Sequence, residues 1–524
     1  MLAAIRSAAV LGVDAYDVTV EVDAALGLPA WTIVGLAAAA VKESRERATA
    51  ALLNAGFAVP PRRVTVNLSP ADIAKTGSAF DLPIALAFLV ATGQLDPRPL
   101  ERCVVVGELG LDGTVRRVRG VLPIARRASA ATEPTTLIVP APNAGEALLA
   151  TGPHVCAPPT LRLLIDWLNA GPLPAAQPPA PSSPIADDID FADVVGQQSA
   201  KRALEVAAAG GHNVALVGPP GAGKTMLARR LATILPALTE PEALEVTAIH
   251  SVAGTLGESP TLTTCRPFRA PHHTISSAGL IGGGSAPRPG EVSLAHRGVL
   301  FLDEMLEFPR AVLDALRQPM EDGRVVIARA SGSVAFPARF TLVGAMNPCP
   351  CGRAGDSSLA CVCGAAVVAK YRARLSGPLA DRIDMHVPVS SVPIHSLADI
   401  RPGERSQTVR ERVEHARATQ RERFAASRHI GCNAHAAGRW LDAHTPVAPA
   451  ARALLADAAD RLGFSARGYH RVLKVARTIA DLDDAIAIEP AHVAEAVRYR
   501  PALPRTDAAL GTRPNALPHL SARA

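Results

Sequence analysis

Gly218-Pro219-Pro220-Gly221-Ala222-Gly223-Lys224-Thr225 follows the apolar run Val214-Ala215-Leu216-Val217 and precedes a helix-forming stretch, Met226–Leu235. The pattern is G-x-x-x-x-G-K-[ST] in its required setting, a strand before it and a helix after it. The glycines let backbone N–H groups turn inward around phosphate oxygens. Lys224 brings positive charge to the β- and γ-phosphates, and the Thr225 hydroxyl is a ligand for Mg²⁺. A second apolar run, Val299–Leu302, ends in Asp303-Glu304. Asp303 is suited to hold the metal's water shell and Glu304 to polarise the attacking water. A glycine turn beside an unrelated acidic pair would not explain a lysine at that spacing. The two segments together predict hydrolysis of ATP, with Mg²⁺ as its companion ion.

A chain of 524 residues forms two to four domains rather than one core. The apolar stretch Leu82–Ala91 is too short to span a bilayer, contains Pro83, and reads as a buried helix. The start, Met1-Leu-Ala-Ala-Ile-Arg6, lacks the order of basic segment, apolar core and cleavage site that marks a secretory signal. A cytoplasmic protein without a membrane partner is the expectation. The net charge of +6 is unevenly placed: residues 401–524 carry 20 Lys/Arg against 13 Asp/Glu, and residues 1–400 carry 34 against 35. Such asymmetry suits either a solvated helical surface or contact with nucleic-acid phosphates.

Residues 1–170 alternate β-like runs (Val18–Val22, Val64–Asn67, Val104–Gly107, Thr136–Val139) with helical patterns (Ala37–Leu53, Leu82–Ala91), which predicts an α/β domain. The proline-dense segment Gly171–Pro184 predicts a semi-extended linker, bounded at 171–188. An α/β nucleotide-binding domain is expected over 189–400. Helical spacing over Arg405–Arg428, Ala450–Leu462 and Ala466–Leu482 predicts a helical domain over 401–500. A proline-broken tail, 501–524, follows.

Lys224 and Asp303 are 79 positions apart, and the glycine-rich, helix-poor stretch Arg266–Ser285 between them reads as an inserted hairpin or loop projecting from the core. His272 and His273, if on a strand, point to opposite faces and share no metal. Thr341–Met346 is a further buried-strand run ending in Asn347, whose amide could meet the γ-phosphate or the attacking water, or serve simply as a turn residue before Pro348. Arg382, in Leu379-Ala-Asp-Arg-Ile-Asp384, could stabilise transition-state charge in a neighbouring subunit. On its own it reads equally as a surface arginine.

Asp193–Gln197, Gly211–Thr225, Arg266–Ser285, Val299–Met305, Met346–Gly352, Leu375–Asp384 and Phe464–Asp481 together resemble the YifB/ComM family of magnesium-chelatase-like AAA+ ATPases. The likeness runs over about residues 1–500. It implies an AAA+ P-loop core with a Lon-protease-like α/β domain before it and a helical lid after it. It also implies that Asn347 is the sensor 1 residue, Arg382 a finger acting in trans, and Arg467 a sensor 2 contact on ATP. A homo-oligomeric ring, hexameric by analogy, follows from a finger that must come from the adjacent subunit.

Val104–Gly120 and Lys75–Pro83 resemble the domain shared by Lon-type proteases and the RadA recombination protein. A Ser/Lys protease needs a serine beside a desolvated lysine. Ser78 lies near the nucleophile position, but Leu122 stands where that family carries its lysine, and Lys75 is elsewhere. The expectation is a scaffold, not an active protease.

Cys349, Cys351, Cys361 and Cys363 flank a polar loop directly after Asn347. Four thiols in 15 residues of an intracellular chain favour a Zn²⁺ site over disulfides. The C-x-C spacing is unlike the usual C-x₂-C knuckle, so a reduced loop packed beside Asn347 stays open. Cys103, Cys156, Cys265 and Cys432 are scattered and read as small core or surface residues.

Three functions fit the motor. The family resemblance implies a DNA helicase that promotes branch migration in recombination during natural transformation, with DNA and recombination proteins as partners. Arg266, Arg269 and Arg288 would approach phosphates in its channel. The alternatives are a remodelling or regulatory ATPase acting on proteins, and a magnesium-chelatase motor. The N-terminal domain argues against the last, whose motor subunit resembles only the central and C-terminal parts.

Overall fold

The computed structural model describes residues 2–178, 189–257, 260–284, 287–329, 332–354, 360–391, 403–427, 430–436 and 438–500. Most of the predicted linker (179–188) and the whole predicted tail (501–524) lie outside the described residues. So do Ser285 at the end of the predicted insert and Arg428 at the end of the first lid helix.

Seven strands build the N-terminal sheet: β1 (Leu2–Leu11), β2 (Asp14–Ala25), β3 (Ala30–Val34), β4 (Arg63–Ser69), β5 (Cys103–Val105), β6 (Thr136–Ile138) and β7 (His154–Cys156). Their order is β3-β4-β2-β1-β5-β6-β7. The long β1–β2 hairpin is antiparallel, while β1 pairs parallel with β5. Alternation in β2 sends Val18, Val20, Val22 and Ala24 inward. Helix α1 (Ser44–Asn54) covers α2 (Asp81–Ala91), in which every side chain is buried, as its unbroken apolar run dictates. Asp81 is tolerated there because Arg47 Nε donates to it at 2.6 Å and the Leu109 N–H at 3.2 Å. After α3 (Val121–Ser129) and α4 (Leu161–Ala170), the described start of the linker lies on this domain: the Ala176 N–H donates to the Val155 carbonyl at 2.7 Å.

The central domain opens with α5 (Gln198–Gly210), β8 (Val214–Val217), α6 (Lys224–Ile234) and α7 (Glu240–Ala253). Four further strands, β9 (Phe268–Arg269), β10 (Val299–Leu302), β13 (Thr341–Met346) and β14 (Met385–Pro388), complete a parallel five-stranded sheet. Its order is β9-β10-β13-β8-β14. A separate antiparallel hairpin, β11 (Arg324–Arg329) with β12 (Gly332–Pro337), stands between β10 and β13 in the chain. Buried Val, Leu and Phe on β8, β10 and β13 are the apolar signature of a sheet covered on both faces.

The stretch expected to project from the core begins inside it. Phe268 and Arg269 form the edge strand β9, paired parallel with Val299 and Leu300. Only after this does the chain leave the sheet, through a short helix, Ser277–Ile281, with Leu280 buried, and a ribbon pairing Gly282–Gly283 with Arg288–Pro289. The C-terminal segment, expected to form a lid, consists of α8 (Ser406–Arg423), α9 (Gly438–His444), α10 (Pro449–Leu462), α11 (Ala466–Leu482) and α12 (Pro490–Arg498). Helices α9 and α12 go beyond the sequence reading.

The N-terminal and central domains share packing. Ala248 of α7 lies in one apolar cluster with Val121, Leu122 and Ile124 of α3. The Gly120 N–H donates to Ser251 O at 3.2 Å, and Ser251 Oγ donates to the buried Glu146.

Candidate active site

Parallel pairing puts the carboxyl ends of β8, β10 and β13 side by side, where loops of an open α/β sheet gather ligands. The phosphate-binding loop runs from β8 into α6. At Gly218 a Cβ would sit 2.1 Å from the Val389 carbonyl oxygen, so no other residue fits. Gly221 (φ +78°) and Gly223 (φ +86°) hold left-handed backbone that aims the loop's N–H groups inward. Gln197 steadies the loop from outside, its Nε2 donating to Ala222 O at 3.3 Å and Ser390 O at 2.5 Å.

Lys224 Nζ donates to Gly218 O (2.7 Å), Pro219 O (2.8 Å) and Asn347 Oδ1 (3.1 Å). Its ammonium thus sits in the cradle of the loop, against the residue that ends β13. Burial pulls the Lys224 pKa below the usual lysine range, and Asp303 and Glu304 pull it back up. Thr225 Oγ1 donates to Asp303 Oδ2 at 2.8 Å. A hydroxyl and a carboxylate so placed, both open to solvent, are a fitting pair of oxygen ligands for Mg²⁺. Glu304 is exposed and sits at φ +48°, a strained conformation for a residue with a side chain. The sequence reading missed His273, whose Nδ1 lies 3.9 Å from Glu304 Oε2. The two histidines are not on a strand, and their rings lie 4.1 Å apart instead of facing away from each other.

Arg382 and Arg467 lie elsewhere. The register Val214↔Met385 puts Asn213 and Asp384 together at the amino ends of β8 and β14. There the Asp384 N–H donates to Asn213 O at 3.0 Å, and the Asn213 N–H to Asp384 Oδ2 at 2.9 Å. A four-residue strand is about 13 Å long, so this end stands a strand's length from the phosphate-binding loop. Arg382 donates to Pro378 O at 2.6 Å and to Glu321, and its Nε is buried without a partner among the described residues. Arg471 of α11 donates to Asp384 Oδ1 at 2.6 Å and to Arg382 O at 3.0 Å. Burial pushes the Asp384 carboxyl up, but His212, its Nδ1 3.7 Å away, and the charge of Arg471 hold it well below the carboxylate range. Arg467 is exposed and lines one cleft with Glu321, Asp381, Arg382, Arg471 and Lys474. It is grouped with Arg382, not with Lys224. On the helical face that Arg467, Arg471 and Lys474 share, Arg467 is exposed while the other two are half-buried, and Lys474 Nζ is committed to Ala434 O at 2.8 Å.

Two arginines proposed for phosphate contact are structural. Arg266 donates to Pro236 O (2.7 Å) and Arg297 O (2.7 Å), and Arg269 Nε to Glu291 Oε2 (2.7 Å). Much of the lid's positive charge is also spent internally: Arg412 on Glu205 and Glu404, Arg423 and Arg477 on Asp481, and Arg410 and Arg417 on carbonyls of the central domain. By contrast, the exposed Arg288, Arg324 and Arg329 have no carboxylate partner among the described residues.

In the N-terminal domain Ser78 Oγ donates to Glu108, Leu122 is wholly buried, and Lys75 Nζ is buried without a hydrogen-bond partner among the described residues. No hydrogen bond joins Ser78 to Lys75 among the described residues. Cys349, Cys351, Cys361 and Cys363 do converge, their Sγ atoms all within 4.8 Å of one another. Among the described residues no helix is long and apolar enough to cross a membrane.

Three family models match in succession: Subunit ChlI of Mg-chelatase over residues 20–143, Magnesium chelatase, subunit ChlI, over 190–397, and its C-terminal model over 403–500. The chain is 43% identical over 506 residues to Competence protein ComM of Haemophilus influenzae, covering 95% of this chain and 97% of that one. It is 42% identical over 507 residues to YifB of Salmonella typhimurium, with the same coverage of 95% and 97%. The magnesium-chelatase 38 kDa subunit of Cereibacter sphaeroides is 30% identical over 174 residues, 30% of this chain and 52% of that protein.

Proposed function

The chain belongs to the YifB/ComM family of magnesium-chelatase-like AAA+ ATPases, and on that premise we propose that it is a hexameric ring motor that migrates branched DNA. One observation supports the ring: the residues assigned to catalysis are divided between the two ends of one sheet. Lys224, Thr225, Asp303, Glu304 and Asn347 gather at the carboxyl end, Arg382 and Arg467 at the amino end. An Arg382 at the far end of the sheet from its own phosphate-binding loop suits a neighbour's phosphates in a ring better than its own.

In this reading the backbone N–H groups of residues 218–225 and Lys224 hold the phosphates of ATP. Thr225 and Asp303 would hold Mg²⁺, which would supply positive charge against the phosphates. Glu304 takes the proton of the attacking water and Asn347 orients that water. Arg382 and Arg467 of the next subunit stabilise the charge that develops on the transferred phosphoryl group. Zn²⁺ is the metal suited to the four-cysteine loop. The N-terminal domain serves as a scaffold without proteolytic activity.

DNA as the cargo, in recombination during natural transformation, is supported by the likeness to Competence protein ComM of Haemophilus influenzae and by a basic surface. Arg288 on the ribbon and Arg324 and Arg329 on the β11–β12 hairpin are exposed cations free to meet phosphates. Recombination proteins are the partners expected, in the cytoplasm where that DNA resides. One observation favours the second reading, a remodelling ATPase acting on proteins: Arg410, Arg412, Arg417, Arg423 and Arg477 are engaged within the chain, which leaves fewer C-terminal arginines to meet DNA. ATP turnover with and without branched and single-stranded DNA separates the two. Stimulation by branched DNA, with salt-sensitive binding, is expected; no stimulation and no salt-sensitive binding would favour the remodelling reading.

A further inference from the structure

The segment after β13 turns back on itself so that four sulfurs meet. Cys349 Sγ lies 3.3 Å from Cys351 Sγ and 3.6 Å from Cys361 Sγ, and Cys351 Sγ lies 3.6 Å from Cys361 Sγ. Four thiolates bound tetrahedrally to Zn²⁺ at about 2.3 Å stand about 3.8 Å apart. A disulfide would need about 2.05 Å, and all eight cysteines are free. The set is all sulfur, the donor type that selects Zn²⁺ over Mg²⁺ or Ca²⁺. Cys349 is fully buried and its Sγ accepts the Ala354 N–H at 3.3 Å, an outer hydrogen bond of the kind that orients a metal ligand.

The cluster is also wired to the hydrolytic site. Asn347, two residues before Cys349, accepts from Lys224 Nζ at 3.1 Å. The Gly352 N–H closes a turn on Cys349 O at 2.9 Å, and a Cβ on Gly352 would lie 2.4 Å from Pro220 Cδ. The cysteine turn therefore rests directly on the phosphate-binding loop. From the far side of the cluster, Arg372 Nε donates to Pro348 O at 3.1 Å. The same few residues thus join the end of β13, the phosphate-binding loop and the helix Ala365–Arg372.

We infer that the four thiolates bind one Zn²⁺ and that this metal braces Asn347 against the phosphate-binding loop, coupling metal occupancy to ATP hydrolysis but not to ATP binding. The coupling rests on the ATPase reading above; the metal site does not. Nucleotide affinity comes from the loop's own N–H groups and Lys224, whereas hydrolysis needs Asn347 held within a fraction of an ångström. A displacement of about 1 Å there costs about 100-fold in rate.

The test compares the wild-type chain with Cys361→Ser and Cys363→Ser, taken from the less buried side of the cluster, and with the distant control Cys265→Ser. Zinc content, affinity for a fluorescent ATP analogue, and turnover are measured on each. The expected result is about one zinc per wild-type chain, and loss of zinc in both variants. Their nucleotide affinity should stay within about twofold while turnover falls about 10- to 100-fold; the control should match wild type throughout. Chelation of the wild-type chain and restoration with Zn²⁺ should reproduce the loss and its recovery, a readout independent of whether a variant folds. Wild-type protein purified under reducing conditions without zinc, or zinc-free variants that turn over at the wild-type rate, would overturn the inference. A zinc-loaded wild-type chain that binds nucleotide and never hydrolyses it would overturn the ATPase reading and the coupling, while supporting the metal site.

Discussion

Arg382 is clasped by the carboxylate of Glu321 in its own chain. The pairing keeps the guanidinium almost out of solvent (10% exposed) while Glu321 stays half exposed (50%). A finger that must reach a neighbour's phosphate has to leave this partner first. Half-exposed pairs of this kind contribute about 0.2–1 kcal/mol. Glu321→Gln is therefore expected to raise the ATPase rate at low protein concentration by up to about fivefold, with less effect once rings are saturated. Turnover measured across a protein-concentration series checks it; a drop at every concentration would mean that Glu321 positions Arg382 for work instead of restraining it.

The buried Asp384 joins the sheet to the lid, through Asn213 on one side and Arg471 on the other. Removing its charge leaves Arg471 partly buried and unpaired. Asp384→Asn should cost about 3 kcal/mol in denaturant unfolding and loosen α11, with Arg467 on its first turn. A loss below about 0.5 kcal/mol, as for a solvent-exposed pair, would show that the junction is held by packing alone.

His386 on β14 is half-buried, with its Nδ1 enclosed and without a hydrogen-bond partner among the described residues. Burial first, and then the charge of Arg500, lower its pKa from 6.5 to about 4. The unfolded chain thus binds a proton at His386 across the window from 6.5 to 4 while the folded chain does not. Stability from this group is complete above 6.5 and declines as pH falls toward 4. Melting temperature should drop over that window in the wild type, and the drop should be smaller in His386→Leu. Identical pH profiles for both chains would show that other groups govern acid sensitivity.

What could be read in the sequence was what is local. Gly218–Thr225, Asp303-Glu304 and Asn347 each follow their own apolar strand, and parallel pairing needs only to align those strands to assemble the site. The fate of Arg266 and Arg269 depended on Glu242 and Glu291, 24 and 22 residues away, and no spacing rule pairs them. Arg382 could be named but not situated, because which end of the sheet it occupies depends on the register of β14 against β8. Glu321 gave no signal at all: an acidic residue before Gly323 at a helix end is unremarkable until its partner is known. The order of the N-terminal sheet was unreadable for the same reason, since β1 lies beside β5 across about a hundred residues.

The central claim is that one hydrolytic site takes Glu304 from one subunit and Arg382 from the next. Glu304→Gln and Arg382→Ala chains, each alone, should bind ATP and hydrolyse it about 10³-fold more slowly than wild type. Mixed one to one before ring assembly, they should regain about a quarter of the wild-type rate, because about a quarter of the interfaces in a random ring pair an intact Glu304 with an intact Arg382. A mixture no faster than its two components would contradict a site shared between subunits.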